Sequence, residues 1–452
     1  MPQSQIPSFA VAIAIVAGLA PAALAQRPVL TGEATYGAPG GSVLVHYATS
    51  GVDAVPVADT NADGTPDFVA TIADTAAQAL DHFATLGFRA PLSDGALGGD
   101  GRIDIYLRDL NAADGNAGND SCDGDRCVGF VAAENDYTGF GYPSVLEGIR
   151  SVVPHELFHL VQKAYASSQP ATWSEGSAVW AVENLYGADN SDFERFLPSF
   201  VTRSYRPFER PVGGFGDAYP YGAALWPYFL EHRFGVATVV AAWAASEQAG
   251  FLDATDTALR GAGSTTNDAW IEFTRWNLFT GARASGGPYP DARAWPEVPR
   301  EPAIAATGTI YVEGLSARYV PITIASRQRI AATPTGGIRI AAWIVRDGGG
   351  LDEGFELAAQ GTVLATMVEA GSYTLVVTGL SRGTITTAVD ISVGEPLPNE
   401  GDDTGGGGGC AATRASHPLT LIFFAALTWR LGGRRRAFAH PERDKREVLL
   451  KV

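Results

Sequence analysis

Cysteine is scarce, with three in 452 residues. That excludes a disulfide-stapled scaffold. Cys122 and Cys127, in "SCDGDRC", have no further Cys or His close by, which also excludes a zinc knuckle. Positive charge is short as well. Lys and Arg number 32 against 49 Asp and Glu, a formal charge of −17. Without basic patches the chain is a poor match for nucleic acid. Long apolar runs are missing too. Phe9 to Leu19 and Pro418 to Trp429 are both short for a comfortable membrane span.

The N-terminus instead predicts an export leader over residues 1–25. An apolar run is followed by Ala23-Leu24-Ala25, a small-residue cleavage site before Gln26. "MPQSQ" lacks the usual Lys or Arg, so an uncleaved anchor is the alternative. An exported chain meets oxidising conditions. There Cys122 and Cys127 are expected to close a small loop, leaving Cys410 as the odd thiol.

Residues 26–300 mix helix and strand periods. "ATIADTAAQALDHFATLGF" repeats like a helix and "GRIDIYL" alternates like a strand. Further helices are expected around "VVPHELFHLV", "SEGSAVWAVENLY" and "GAALWPYFLEHRFG". Over 303–395 the pattern becomes short β-rich runs: "ARYVPITI", "IRIAAWIVRD", "TVLATMVEA", "GSYTLVVTGL" and "TITTAVDISV". The fold class predicted is α+β, a mixed domain followed by a small all-β sandwich. No catalytic residue types cluster in 303–395, so a chain ending near Glu301 is expected to keep its chemistry. Residues 396–409 read as a Gly-rich linker, 410–436 as a sorting or membrane segment and 437–452 as a basic-acidic tail.

"VVPHELFHLV" carries the chemistry. Positions i and i+4 share one helix face, so His155 and His159 can both aim nitrogens at one ion about 2.0–2.1 Å away. Glu156 projects beside that ion, where it can take a proton from water. Chance alone gives His-Glu-x-x-His in about one such chain in a hundred. The bland alternative is a helix whose histidines are satisfied structurally. Beside Leu157, Leu160 and Val161, however, they would be awkward core residues. Pro154 is expected to start the helix or kink it. Glu175, in the first turn of the next predicted helix, is the candidate third ligand. Glu183, two turns on, is a candidate to orient a ligand.

HELFH followed by W-S-E-G-S-A resembles the gluzincin metallopeptidases, whose third zinc ligand is the Glu of a W-x-x-E-G-x-A stretch. Across about residues 45–240 the chain resembles the secreted metalloproteases of myxobacteria in particular, with "VVPHELFHLVQ" and "WSEGSAVWAVE" as the matching stretches. The resemblance implies a zincin-like domain, zinc held by His155, His159 and Glu175, Glu156 as general base, and a peptide or protein substrate. It also implies a tyrosine that steadies the oxyanion, from a Y-x-x-G stretch. Tyr219 matches by position, with Tyr221 the alternative. Two other functions are weighed: a surface adhesin with a structural zinc, and a zinc hydrolase of non-peptide substrates. Glu156 speaks against the adhesin, since a structural site has no use for a base.

Four further expectations follow. Asp59, Asn61, Asp63 and Asp67 in "DTNADGTPD" occupy positions of an EF-hand-like loop, suggesting calcium or a plain Asx-rich turn, and the closing Glu is replaced by Ala70. "CVGFVAAEN" is the expected edge strand for an extended substrate, and His232 is expected at the surface. The order of Gly-rich linker, Cys410, apolar run and Arg434–Arg436 resembles the C-terminal sorting signals of Gram-negative surface proteins, notably the myxobacterial type. That implies processing and lipid attachment at Cys410 and anchorage at the outer cell surface. A plain tail anchor is the alternative, and the residues after Arg436 depart from the pattern.

Overall fold

The computed structural model describes residues 25–38, 41–210, 213 and 216–394. The leader up to Leu24, the linker, the sorting segment with Cys410 and the tail lie outside them.

The first part is a five-stranded sheet covered by helices. Strands β1 (Ala34–Tyr36), β2 (Val43–Tyr47), β3 (Ile103–Arg108), β4 (Gly115–Asp123) and β5 (Arg126–Glu134) lie in the order β1-β2-β3-β5-β4. The three central strands are parallel, and both edges are antiparallel. Strand alternation divides the faces. Val43, Val45, Ile105, Leu107, Val131 and Ala133 join the large apolar core beneath helices α1 (Asp67–Leu86) and α2 (Val145–Lys163). His46, Asp104, Tyr106 and Phe130 are buried on the other face.

Helix α1 turns Phe68, Val69, Ile72, Ala76, Ala79 and Phe83 inward, the spacing of a single helical stripe. Helix α2 is buried along most of its length. It begins at Val145, where the Ser144 hydroxyl accepts the Glu147 N–H, and continues through Pro154 without ending. The expectation that Pro154 starts the helix is therefore corrected. Phe158 packs edge-on to Phe83, Phe88 and Trp180 at 5.1, 5.0 and 6.3 Å between centroids. Burying a side chain of that size stabilises by about 1.5–3 kcal/mol, and it fixes which face of α2 remains for the histidines.

Helix α3 (Ala171–Tyr186) follows, then α4 (Asp192–Val201), a single turn α5 (Tyr219–Gly222), α6 (Leu225–Phe234), α7 (Val236–Ala245), α8 (Phe251–Gly261) and α9 (Thr266–Trp276). Glu175 falls in the second turn of α3 rather than its first, because the helix starts at Ala171.

The remaining strands are β6 (Thr307–Glu313), β7 (Ala317–Ile324), β8 (Gln328–Pro334), β9 (Ile340–Arg346), β10 (Phe355–Glu356), β11 (Ala358–Gln360), β12 (Val363–Val368), β13 (Gly371–Gly379) and β14 (Thr386–Gly394). They form two antiparallel sheets, β10-β9-β13-β7 and β11-β12-β8-β14-β6. The fold class is thus the expected one, a mixed α+β part followed by an all-β sandwich. The five runs read from sequence contain β7, β9, β12, β13 and β14.

The first sandwich sheet is buried on both faces. Val320, Ile322, Ile344, Leu375 and Val377 face the second sheet. Their alternates Tyr319, Trp343, Val345 and Val376 join the helical core instead. The Tyr319 hydroxyl donates to the Thr274 carbonyl of α9 at 2.8 Å, and the buried Thr274 and Thr378 hydroxyls meet at 2.8 Å. A chain ending near Glu301 would expose this face, so the shared core stands against its keeping the site intact.

Candidate metal centre

The i,i+4 spacing on α2 brings His155 and His159 together. Their Nε2 atoms are 3.1 Å apart, and Glu175 Oε2 of α3 lies 3.2 Å from the first and 3.3 Å from the second. Three ligand atoms at these separations form a nearly equilateral triangle. Tetrahedral zinc with bonds of about 2.0–2.1 Å requires ligand atoms about 3.3–3.4 Å apart. The donor set, two imidazoles and a carboxylate, suits the same ion and leaves its fourth position open. Among the described residues, this is the group of His, Cys, Asp and Glu whose ligand atoms gather closely enough for one ion.

A neighbour fixes the tautomer of His159. The Gln162 amide nitrogen donates to the Ser174 carbonyl at 2.8 Å and to the Ser177 hydroxyl at 3.2 Å. Its oxygen therefore faces His159 Nδ1, 2.8 Å away, and that nitrogen carries the proton. The Nε2 lone pair is left for a metal. Sequence reading missed Gln162, although its place three residues after His159 puts it on the same side of the helix.

Electrostatics bind the three groups to one another. Burial opposes the charge on Glu175, but His159 and His155 hold its carboxyl well below the usual range. Burial likewise disfavours a charged His159, yet Glu175 pushes it up to about 9. The pocket thus favours a positive charge at the centre of the triangle. Glu156 is 8 % exposed, and burial raises its carboxyl, an effect partly offset by His159 and His155. It lies against strand β4 at Gly115. A Cβ there would come within 2.5 Å of Val152 Cγ1 and 2.9 Å of Glu156 Cγ, so only glycine permits this approach.

The tyrosines separate. The Tyr219 hydroxyl donates to the Arg206 carbonyl at 3.3 Å, and the Arg206 guanidinium lies 4.2 Å over its ring. The structure does not bring it to the triad. Tyr221 stacks on His155 at 5.8 Å between centroids, and burial, with Glu175 nearby, raises its phenol well above the ordinary value. Gly176 makes this stacking possible. A Cβ there would stand 3.0 Å from the Ala223 carbonyl carbon, where the chain passes from α5 to α6.

Other expected site residues lie elsewhere. Glu183 faces Glu194, Asp291 and Glu231, and burial beside them pushes its carboxyl up to about 7. It is not the group that orients a ligand. His232 is exposed, with Nδ1 2.9 Å from the Tyr228 carbonyl. In the 59–67 loop the side chains serve the loop itself. Asp59 accepts the Asp63 and Gly64 N–H groups, Asp67 accepts that of Thr60, and Asn61 donates to Asp63. Asp59, Asp63 and Asp67 do not form a gathered ligand group like the triad. The edge strand is also corrected: "CVGFVAAEN" is β5, paired on both sides, and the edge is β4. Cys122 and Cys127 form a disulfide across the β4–β5 turn. No helix of the described residues is long and apolar enough to cross a membrane.

No protein-family model matches the chain, and no curated protein does. Among solved structures it is similar to the pre-peptidase C-terminal domain of a Bacillus anthracis collagenase, at 19 % identity and a TM-score of 0.19, covering 21 % of this chain and 96 % of that one. It is also similar to PliG, a periplasmic inhibitor of g-type lysozyme. The Aeromonas hydrophila protein gives 9 % identity and a TM-score of 0.17, over 21 % of this chain and 97 % of that one. The Salmonella Typhimurium protein gives 12 % and 0.17, over 21 % and 99 %.

Proposed function

We propose that the chain is an exported zinc metallopeptidase. The observation that carries this is a buried carboxylate, Glu156, directly beside a His-His-Glu triangle of tetrahedral dimensions. A zinc ion held there supplies Lewis acidity to a carbonyl oxygen and to water. His155, His159 and Glu175 hold the ion, and Gln162 keeps His159 in its metal-binding tautomer. Glu156 accepts the proton of the attacking water and returns it to the leaving amine. Its raised pKa brings it closer to the working range of such a base. The Tyr221 hydroxyl, beside Glu175, donates to the developing oxyanion. The outward edge of β4 pairs with the substrate backbone. The Cys122–Cys127 disulfide supports the export reading. Surface anchorage through the segment around Cys410 belongs to the same proposal.

Metal analysis with proteolysis of casein tests the reading. Glu156→Gln is expected to keep one zinc per chain and lose at least about 1,000-fold in turnover. Unchanged turnover would end the general-base role. A zinc-bound wild type that hydrolyses nothing would favour a structural site on an adhesin.

A further inference from the structure

Lys163 is the last residue of α2, one helical turn beyond His159 on the same face. Its side chain is largely withdrawn from solvent, and among the described residues it has no ion-pair partner. Nζ instead donates to the Ala117 carbonyl at 2.5 Å, with the Gly118 carbonyl at 3.5 Å. Burial lowers its pKa to about 8, so it is largely charged at neutral pH. Glu156, Glu175 and Asp120 favour its charge through space, but no carboxylate of the described residues bonds to the ammonium directly.

Its position along β4 gives it a direction. Asp114 accepts from Glu134 N on the β5 side. In an antiparallel pair alternate residues turn their backbone groups outward. Gly115, Ala117 and Asn119 are therefore the outward positions. Glu156 lies beside Gly115, and Lys163 takes the Ala117 carbonyl. A strand added along this edge meets the general base first. Two residues on, about 7 Å away, it meets an ammonium group.

Building on the peptidase reading, we propose that the Lys163 ammonium binds a substrate carboxylate about two residues from the scissile bond. The carboxylate is either the chain terminus or an acidic side chain. The first makes the enzyme a trimmer of chain ends, the second an endopeptidase selective for acidic residues. Lys163 is a specificity residue and takes no part in bond breaking.

The test uses peptides of about eight residues with one common scissile bond. They carry a free or amidated C-terminus at varied distance and Glu or Gln at each flanking position. In the wild type, removing the right carboxylate should lower kcat/KM at least about tenfold, chiefly through KM. Amidation does this if the terminus is bound, and Glu to Gln exchange does it if a side chain is. In Lys163→Met the penalty should shrink below about twofold, and Lys163→Glu should come to prefer Lys at that position, an inversion no merely structural lysine would give. Binding of the carboxylate-bearing peptides to metal-free protein, followed by calorimetry, should weaken by a similar factor in Lys163→Met. Zinc content checks that both variants are folded, and Lys163→Arg should keep the preference. Cleavage without any carboxylate preference, or a preference that survives Lys163→Met, overturns this proposal alone. A zinc-bound wild type that cleaves no peptide overturns the peptidase reading and this proposal with it.

Discussion

Two buried clusters in this molecule combine histidine with carboxylates, and they resolve their charge in opposite ways. On the far face of the sheet, Arg27 binds Asp120 through two nitrogens at 2.8 and 2.7 Å, reaches Asp94 at 2.5 Å, and pairs with Asp104. His46 bridges Glu33 and Asp104 at 2.8 Å each. The cation needed there comes from the chain itself. At the triad, three ligand atoms converge and no Arg or Lys side chain bonds to them. The nearest lysine of that helix is tied to backbone carbonyls. Residue types alone would not tell the clusters apart. What distinguishes them is whether the centre is filled by a guanidinium or left with lone pairs aimed at one point.

The contrast can be broken from either side. The largest expected effect is at Arg27. Replacing it by Met leaves three carboxylates buried beside each other and should cost about 3–5 kcal/mol, read as a lower urea midpoint with the metal triad chemically untouched. An unchanged midpoint would show that Arg27 is not what compensates them. Next, His159→Ala should lower zinc affinity at least about 100-fold, while the metal-free protein stays within about 1–2 kcal/mol of metal-free wild type. A collapse of the fold comparable to that of the Arg27 variant would make the triad a structural cluster too. Gln162→Leu leaves the three ligands in place but removes the partner of His159 Nδ1, with the bonds to Ser174 and Ser177, and should weaken zinc binding about 10–100-fold, measured by competition with a chelator. The smallest effect is a pH dependence of the Arg27 cluster. Burial opposes a charged His46, but Asp104 and Glu33 raise its pKa above the ordinary value. Its contribution is therefore complete below about pH 6.5 and is lost as pH rises through the folded pKa, on the order of 1 kcal/mol or less. The wild-type urea midpoint should fall over that range, and that of His46→Gln should not.

The ligands were legible in the sequence because helix geometry fixes what i and i+4 can touch. The two-motif spacing then offered Glu175 as the candidate third ligand. The tyrosine was less legible. Y-x-x-G counts along a continuous helix, but α5 is one turn long and the chain redirects before Leu225. The second tyrosine of "YPYG", not the first, stacks on His155. Strand β4 was obscure for a compositional reason. "GNAGNDSCD" has no β-branched or aromatic residue, and it is a strand because β5 and the disulfide hold it there. Arg27 carried no signal, since its partners lie 67 to 93 residues away. The sandwich was readable from its alternation, while its second buried face was not. Alternation identifies an inner face but not what covers the outer one.

The covering of β4 also bears on self-association. Unpaired strand edges invite a second copy to add on, which is how sheets begin to aggregate. Here one edge, β1, is only three residues long. On the other, Lys163 occupies the outward carbonyl of Ala117, and the register with β5 shifts between Asn119 and Ser121. The accessible template shrinks to the few positions beside Glu156. That stretch is too short to hold another copy of the sheet, yet long enough to seat an extended peptide.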